Sequence, residues 1–214
     1  MRRSMSVIGA AVLLAVSGTS LSAQMIMGVK GGANLTNVAV TADGSGISTS
    51  MRQAFHGGLL LGFGLKPSIA VEFSMLYVGK GFEPDSSASD GALGRLTIDY
   101  YEFPLLAVGT FPADPSFLAG RVFAGPSFAL RARCNLRVPD QDPTGWTDCD
   151  ADISSAIDFG VMAGAGVKLG KGLGGLTVDV GYDYGLSNIV KGNTGTSGKN
   201  RGLMITVGYT FVII

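Results

Sequence analysis

The chain has 214 residues, of which 33 are Gly and only 15% are charged, against roughly 25% in soluble domains. Basic and acidic residues balance at 16 each, which excludes the electrostatic footprint of a nucleic-acid binder. Mean hydropathy is positive, at +0.36, yet no stretch approaches the roughly 18 apolar residues of a helical span.

The first 23 residues read as a secretory signal peptide. Arg2 and Arg3 precede the apolar run Val7 to Val16, and small and polar residues follow to Ala23. Cleavage after Ala23 leaves a mature domain over 24–214, and loss of the two arginines leaves a net charge near −2. No Cys lies near that junction to carry a lipid anchor.

Beyond the leader, large apolar residues alternate with small or polar ones. The pattern predicts eight strands: Met25 to Thr36, Ala54 to Leu65, Ser68 to Lys80, Arg95 to Gly109, Leu118 to Arg131, Ser154 to Leu169, Leu173 to Asn188 and Arg201 to Ile214. The sixth shows the beat plainly, with Phe159, Val161, Ala163 and Val167 set against Asp158, Gly160, Gly164 and Lys168. A period of two marks strands whose faces see different media. Segments near ten residues, divided by turn residues, suit a transmembrane barrel.

The connections alternate in length. Asn37 to Gln53, Glu83 to Gly94, Ala132 to Ile153 and Ile189 to Asn200 are long and polar. Lys66-Pro67, Phe111 to Pro115 and Gly170-Lys171-Gly172 are short. Long links read as extracellular loops and short ones as periplasmic turns, and an even strand count returns both termini to the periplasmic side. The fold class read from the pattern is all-β, an eight-stranded antiparallel up-and-down transmembrane β-barrel.

Glycine identifies the enclosed face. Gly28, Gly32, Gly58, Gly62, Gly64, Gly125, Gly160, Gly164, Gly166, Gly181 and Gly208 occupy the non-apolar phase. A soluble barrel would carry Lys, Glu and Thr there, whereas a narrow lumen needs small residues beside a few long ones. The apolar phase therefore faces hydrocarbon. Phe55, Tyr77, Tyr101, Tyr182 and Tyr184 at one level, and Phe63, Tyr209 and Phe211 at the other, fit two interfacial girdles. The fourth segment breaks the rule, with Leu96, Ile98 and Tyr100 in one phase and Tyr101, Phe103 and Leu105 in the other. A bulge near Tyr100 would switch the phase, and Pro104, which lacks a ladder donor, fits such a bulge.

The enclosed phase collects Lys30, Glu72, Glu102, Arg121, Asp158, Lys168, Asp179 and Asp183, and His56 shares it but lies so near a loop that its placement is open. Unpaired buried ions are costly, so these residues predict a polar ladder of salt bridges and waters in place of an apolar core. A gated ion path is the alternative role for such a lumen. Cys134 and Cys149 flank a polar link in an exported chain and read as a disulfide.

Other signals carry less. Gly170 to Gly175 spells GxGxxG but leads into a strand, so it reads as a turn and not a phosphate loop. His56, the only histidine, has no Ser or acid at a spacing that proposes a catalytic partner. Asp140, Asp142, Asp148, Asp150 and Asp152 form an acidic loop without the Gly and Glu of an EF-hand. No catalytic, cofactor-binding or metal-ligating set emerges, so no cofactor is expected.

Several segments resemble the PorT-like outer-membrane β-barrel family. Gly28-Val29-Lys30-Gly31-Gly32-Ala33-Asn34-Leu35-Thr36-Asn37 is similar to its first strand, and Val71 to Tyr77 with Gly79-Lys80-Gly81-Phe82 to its third. Tyr101-Glu102-Phe103-Pro104-Leu105-Leu106 resembles the fourth, Ala124-Gly125-Pro126 the fifth, and Asp158-Phe159-Gly160 with Gly164-Ala165-Gly166 the sixth. Tyr182 to Ile189 and Val207 to Phe211 are similar to the last two. The resemblance implies an eight-stranded barrel in the outer-membrane lipid, inserted by the barrel-assembly machinery. It implies no shared catalytic motif. One departure is that Val212-Ile213-Ile214 follows Phe211, where such proteins often end on an aromatic. The function expected is non-enzymatic: extracellular loops displayed for adhesion, envelope integrity or support of a secretion or uptake complex, through an unidentified extracellular or periplasmic protein partner. A narrow or gated pore is the alternative, and a lipid-modifying enzyme a third reading.

Overall fold

A computed structural model describes residues 24–42, 44–47, 49–83, 95–112, 117–137, 147–149, 155–190 and 196–213. Residues 1–23, expected to be a signal peptide, and the acidic residues Asp140, Asp142, Asp150 and Asp152 lie outside them.

The described chain is all-β. Its elements are β1 (Gln24–Ala42), β2 (Ser45–Ile47), β3 (Ser50–Lys66), β4 (Ile69–Glu83), β5 (Arg95–Phe111), β6 (Leu118–Arg137), β7 (Thr147–Asp148), β8 (Ile157–Leu169), β9 (Gly175–Gly185) and β10 (Thr196–Val212). The long strands pair antiparallel with their neighbours in chain order, an up-and-down meander. β1 pairs with β3 on one side and with β10 on the other, from Ile26↔Val212 to Ala42↔Thr196.

Several strands run further than the apolar beat. β1 continues to Ala42, β6 to Arg137, and β10 begins at Thr196. The polar link Asn37 to Gln53 is therefore mostly strand, a correction to its reading as a loop. Asn37, Thr41, Lys199 and Ser197 look loop-like in sequence, but their backbones complete ladder rungs between β1 and β10. A rung needs no particular side chain, so polarity alone hid it.

The two faces differ as the alternation requires. Val29, Leu59, Met75, Leu105, Val161, Val180, Ile205 and Val207 are exposed on the outer face, a continuous apolar surface far larger than soluble monomers tolerate. Phe55, Tyr77, Tyr101 and Tyr182 near the long-link end, and Phe63, Tyr209 and Phe211 near the short-turn end, are exposed on it too. Gly170 and Gly172 take φ of 142° and 58° in the turn joining β8 to β9, so the GxGxxG segment is a tight turn.

β5 corrects the phase-switch expectation. Ile98, Tyr100, Glu102, Leu106 and Val108 all lie buried on the inner face, so the strand keeps one phase throughout. A register shift does fall between Asp99 and Tyr100, but the extra residue is Ala132 on β6, where Asp99↔Arg133 is followed by Tyr100↔Arg131. The inner face is apolar near this end, and that made Ile98 and Tyr100 look outward.

Cys134 and Cys149 are disulfide-bonded, with Cα atoms 5.3 Å apart, and the Cys149 N–H donates to the Cys134 carbonyl. The bond pins the β6–β7 hairpin over the long-link end. Replacing both cysteines by Ser should lower stability by at most about 3 kcal/mol, the loop-closure value for about 15 residues, and leave the β-sheet signal unchanged. Urea unfolding followed by far-UV circular dichroism measures the loss.

Candidate functional site

The inner face is layered. At the long-link end Val38, Phe82, Ile98, Tyr100, Ala129, Cys134 and Ile189 pack together. Below them lies an ionic cluster centred on Lys80, whose Nζ is 2.6 Å from Asp183 and 2.9 Å from Glu102, with Asp158 at 3.9 Å. Asp158 also accepts from Ser187 at 2.6 Å and from the Asn200 amide at 2.7 Å. Glu102 is 0% exposed and its Lys80 partner 4%. The ammonium also lies 5.5 Å from the Tyr100 ring centre.

A second ionic cluster sits toward the short-turn end. The Arg121 guanidinium reaches both Glu72 oxygens, at 3.1 and 3.3 Å, and its Nε is 3.2 Å from Asp179. Gly166 faces Asp179, and a Cβ built there would stand 2.1 Å from that carboxylate, so only glycine leaves the ion pair its space. Lys30 and Lys168 make no ion pair with a described residue, and the Lys168 ammonium donates to the Gly172 carbonyl in the turn below.

Apolar side chains lie between the levels of the two clusters on β4, β5, β8 and β10, whereas on β9 only Gly181 stands between Asp183 and Asp179. Between Lys80 and Glu72 on β4 come Val78, Leu76 and the buried Ser74. Leu106 follows Glu102 on β5, Met162 follows Asp158 on β8, and Met204 follows Asn200 on β10. Phe123 completes the layer beside Arg121, its ring 5.8 Å from the guanidinium. The cavity at this level, lined by Lys30, His56, Arg121, Asp179 and Thr206 as well as by Leu76, Leu106, Phe123, Met162 and Met204, holds about 20 Å³, room for one water. The inner face therefore corrects the expectation of a polar ladder in place of an apolar core: two ionic clusters are accompanied by apolar layers. A chain with so little charge cannot pair every inner position, and dispersion between Leu, Met and Phe fills what remains.

Lys80 shares a parity with Glu72, but it closes the third apolar run of the sequence, and that hides its place on the inner face. Asn34 and Asn200 are inner-face residues too, and as uncharged side chains they give no such signal in the sequence. His56 proves to be inside: its Nδ1 donates to the Asn34 amide oxygen at 2.5 Å, leaving Nε2 to accept from the Thr206 hydroxyl at 2.9 Å. Hydroxyl, imidazole and amide in this order have the connectivity of a hydrolytic triad. Thr206, however, opens onto the 20 Å³ cavity, which admits water and no ester.

The wall itself has a seam. β3 and β4 pair at Met51↔Phe82 and again at His56↔Val78, and the rungs between them are missing. Side chains lace the gap instead. Asn34 donates to the Gly79 carbonyl at 3.3 Å, Arg52 to that of Lys80 at 2.8 Å, and Thr36 to that of Gly81 at 3.2 Å. A recess of about 540 Å³ opens along the seam beside Arg52, Phe55, Gly57, Tyr77 and Asp99.

Among known proteins, a family model described as outer membrane protein beta-barrel domain matches residues 22–191. Among solved structures, the chain is similar to Ail, the attachment invasion locus protein of Yersinia pestis, at 15% identity over 88% of this chain and 99% of that one, with a TM-score of 0.45. It is similar to OprG from Pseudomonas aeruginosa at 13% identity over 87% and 95% of the two chains, with a TM-score of 0.49. For Neisserial surface protein A the values are 15%, 88%, 97% and 0.43. A comparison with curated proteins finds no match. Alternating faces, an apolar outer surface and a family match over most of the length lead to one conclusion: the chain belongs to the outer membrane protein beta-barrel domain family and resides in the bacterial outer membrane.

Proposed function

We propose that this protein is a non-enzymatic, plugged outer-membrane barrel of eight long strands, whose work is to display its long links outside the cell. In this reading residues 1–23 are the export signal and the barrel-assembly machinery inserts the mature chain. The displayed links serve adhesion, envelope integrity or support of a secretion or uptake complex, through a protein partner outside or in the periplasm. The PorT-like group is the branch of the family that its motifs resemble.

The observation that carries this reading is the layered inner face. An ion moving along it would leave the Lys80 cluster and have to pass a cavity that holds a single water, narrowed by Leu76, Leu106, Phe123, Met162 and Met204, to reach Arg121 and Asp179. Such an apolar constriction excludes water and raises the barrier to permeation. The His56 chain argues against lipid hydrolysis, since its hydroxyl faces a single-water cavity.

Planar-bilayer recording of the pure protein should show no steady conductance, and large open events would overturn the plugged reading in favour of a pore. Display is tested by replacing residues 84–94, 138–146 and 191–195 in turn with short Asn-Gly turns. The variants should fold and insert, yet at least one should fail to restore the phenotype of a deletion strain. Full restoration by every loop-shortened variant would sink the display reading.

A further inference from the structure

On the outer face of β5 and β6 at the long-link end, cations share their surface with carboxylates. The Arg95 guanidinium is 2.8 Å from Glu83, and Arg133 faces Asp99 across the ladder. β10 differs. Its outer phase climbs through Val207, Ile205 and Leu203 and then passes to an exposed Arg201 and a half-buried Lys199. One step of about 7 Å, the rise of two residues, thus separates hydrocarbon-facing side chains from the first of two cations. Neither cation makes a salt bridge among the described residues. No Asp or Glu stands in the outer phase of β9, β10 or β1. The link Ile189 to Asn200, which leads into these cations, is also the only long link whose sequence holds no Asp or Glu.

Arg201 is held at this place. Its guanidinium lies 5.1 Å from the ring centre of Tyr184, its partner across the ladder on β9. Packing over a ring face leaves the N–H edge of the guanidinium open to an acceptor. On the other side stands Asn37, its partner on β1, and that amide is spent on Thr49: it donates to the Thr49 carbonyl at 3.2 Å and accepts from the Thr49 hydroxyl. Tyr182 and Tyr184 mark the head-group level on this side of the barrel. A basic side chain rooted there lays its stem on hydrocarbon and carries its charge among the head groups. Two cations on one face, without a counter-charge, match a head that bears two negative charges, and the fork of Arg matches the oxygens of a phosphate.

We propose that the outer face of β10 at the long-link end is a binding site for a lipid whose head carries a phosphomonoester. Arg201 donates bidentately to the phosphate, Lys199 adds the second positive charge from the side away from the hydrocarbon, and the acyl chains lie along Leu203, Ile205 and Tyr182. Tyr184 positions the guanidinium. The site needs only the apolar outer face in lipid, and it is independent of what the long links bind.

Spin-labelled lipids test it. Wild type, Arg201→Gln, the double variant Lys199→Gln with Arg201→Gln, and Arg133→Gln are reconstituted in phosphatidylcholine vesicles at about pH 8, where a phosphomonoester is doubly charged. Each receives spin-labelled phosphatidic acid, phosphatidylglycerol or phosphatidylcholine, and electron paramagnetic resonance gives the motionally restricted fraction of the probe. Wild type should restrict phosphatidic acid in preference to both other lipids. Arg201→Gln should weaken that preference by about fivefold, the worth of one cation at an anionic lipid surface, and the double variant should abolish it. Arg133→Gln removes the same charge from another sector of the rim and should leave the preference unchanged. Equal restriction of phosphatidic acid and phosphatidylglycerol by wild type overturns the site without any variant. An unchanged preference in the double variant overturns it too, and so does an equal loss in Arg133→Gln, which would reduce the effect to net charge. Because the readout is lipid immobilisation, each outcome stands whether or not the display reading does.

Discussion

Replacing Lys80 by Met is expected to destabilise the folded protein by about 3–5 kcal/mol, the cost of breaking a buried ion pair by removing one partner. Among the described residues Lys80 is the single cation paired with Glu102, Asp158 and Asp183, and both it and Glu102 are buried. Without it, three carboxylates face one another in a space shielded from solvent. Asp158 keeps Ser187 and Asn200 as donors, whereas Glu102 and Asp183 lose their principal partner. The expected rescue follows from the same count: adding Glu102→Gln removes one negative charge and should recover a substantial part of the loss. Urea unfolding in lipid vesicles, read by circular dichroism, gives both values. A loss below about 1 kcal/mol for Lys80→Met, the range of exposed pairs, would show that the cluster is solvated after all.

The second large effect belongs to the outer face. Val180 lies midway along β9, 49% exposed, between Ala165 on β8 and Ile205 on β10. Val180→Arg places a guanidinium in hydrocarbon and should cost about 2–4 kcal/mol, while Tyr209→Arg near the strand end should cost no more than about 1 kcal/mol. The contrast matters more than either value. Equal costs at the two positions would mean that depth in the bilayer plays no part, and the assignment of the apolar face to lipid would fail.

Much of this was legible in the residues. Alternation is a local property, and a strand must point successive side chains to opposite faces, so Val161, Val178 and Ile205 declared the outer face and Asp158, Asp179 and Asp183 the inner one. The disulfide was legible because an exported chain with two cysteines flanking one link has few other uses for them. The alternation failed only where the inner face turned apolar, at Ile98 and Tyr100, because two apolar phases in one strand cannot be told apart without the neighbouring strand.

What the sequence determined by itself is therefore the medium on each side of the sheet and the order of its strands, since both follow from a repeat of two and from turn residues between the repeats. Which inner residues meet was decided by the tertiary structure alone. Lys80 and Asp183 lie 103 residues apart and join only because strand stagger carries them to the same height. The β3–β4 seam has the same origin: a missing rung is a relation between two strands, set by register, and no spacing within either one encodes it.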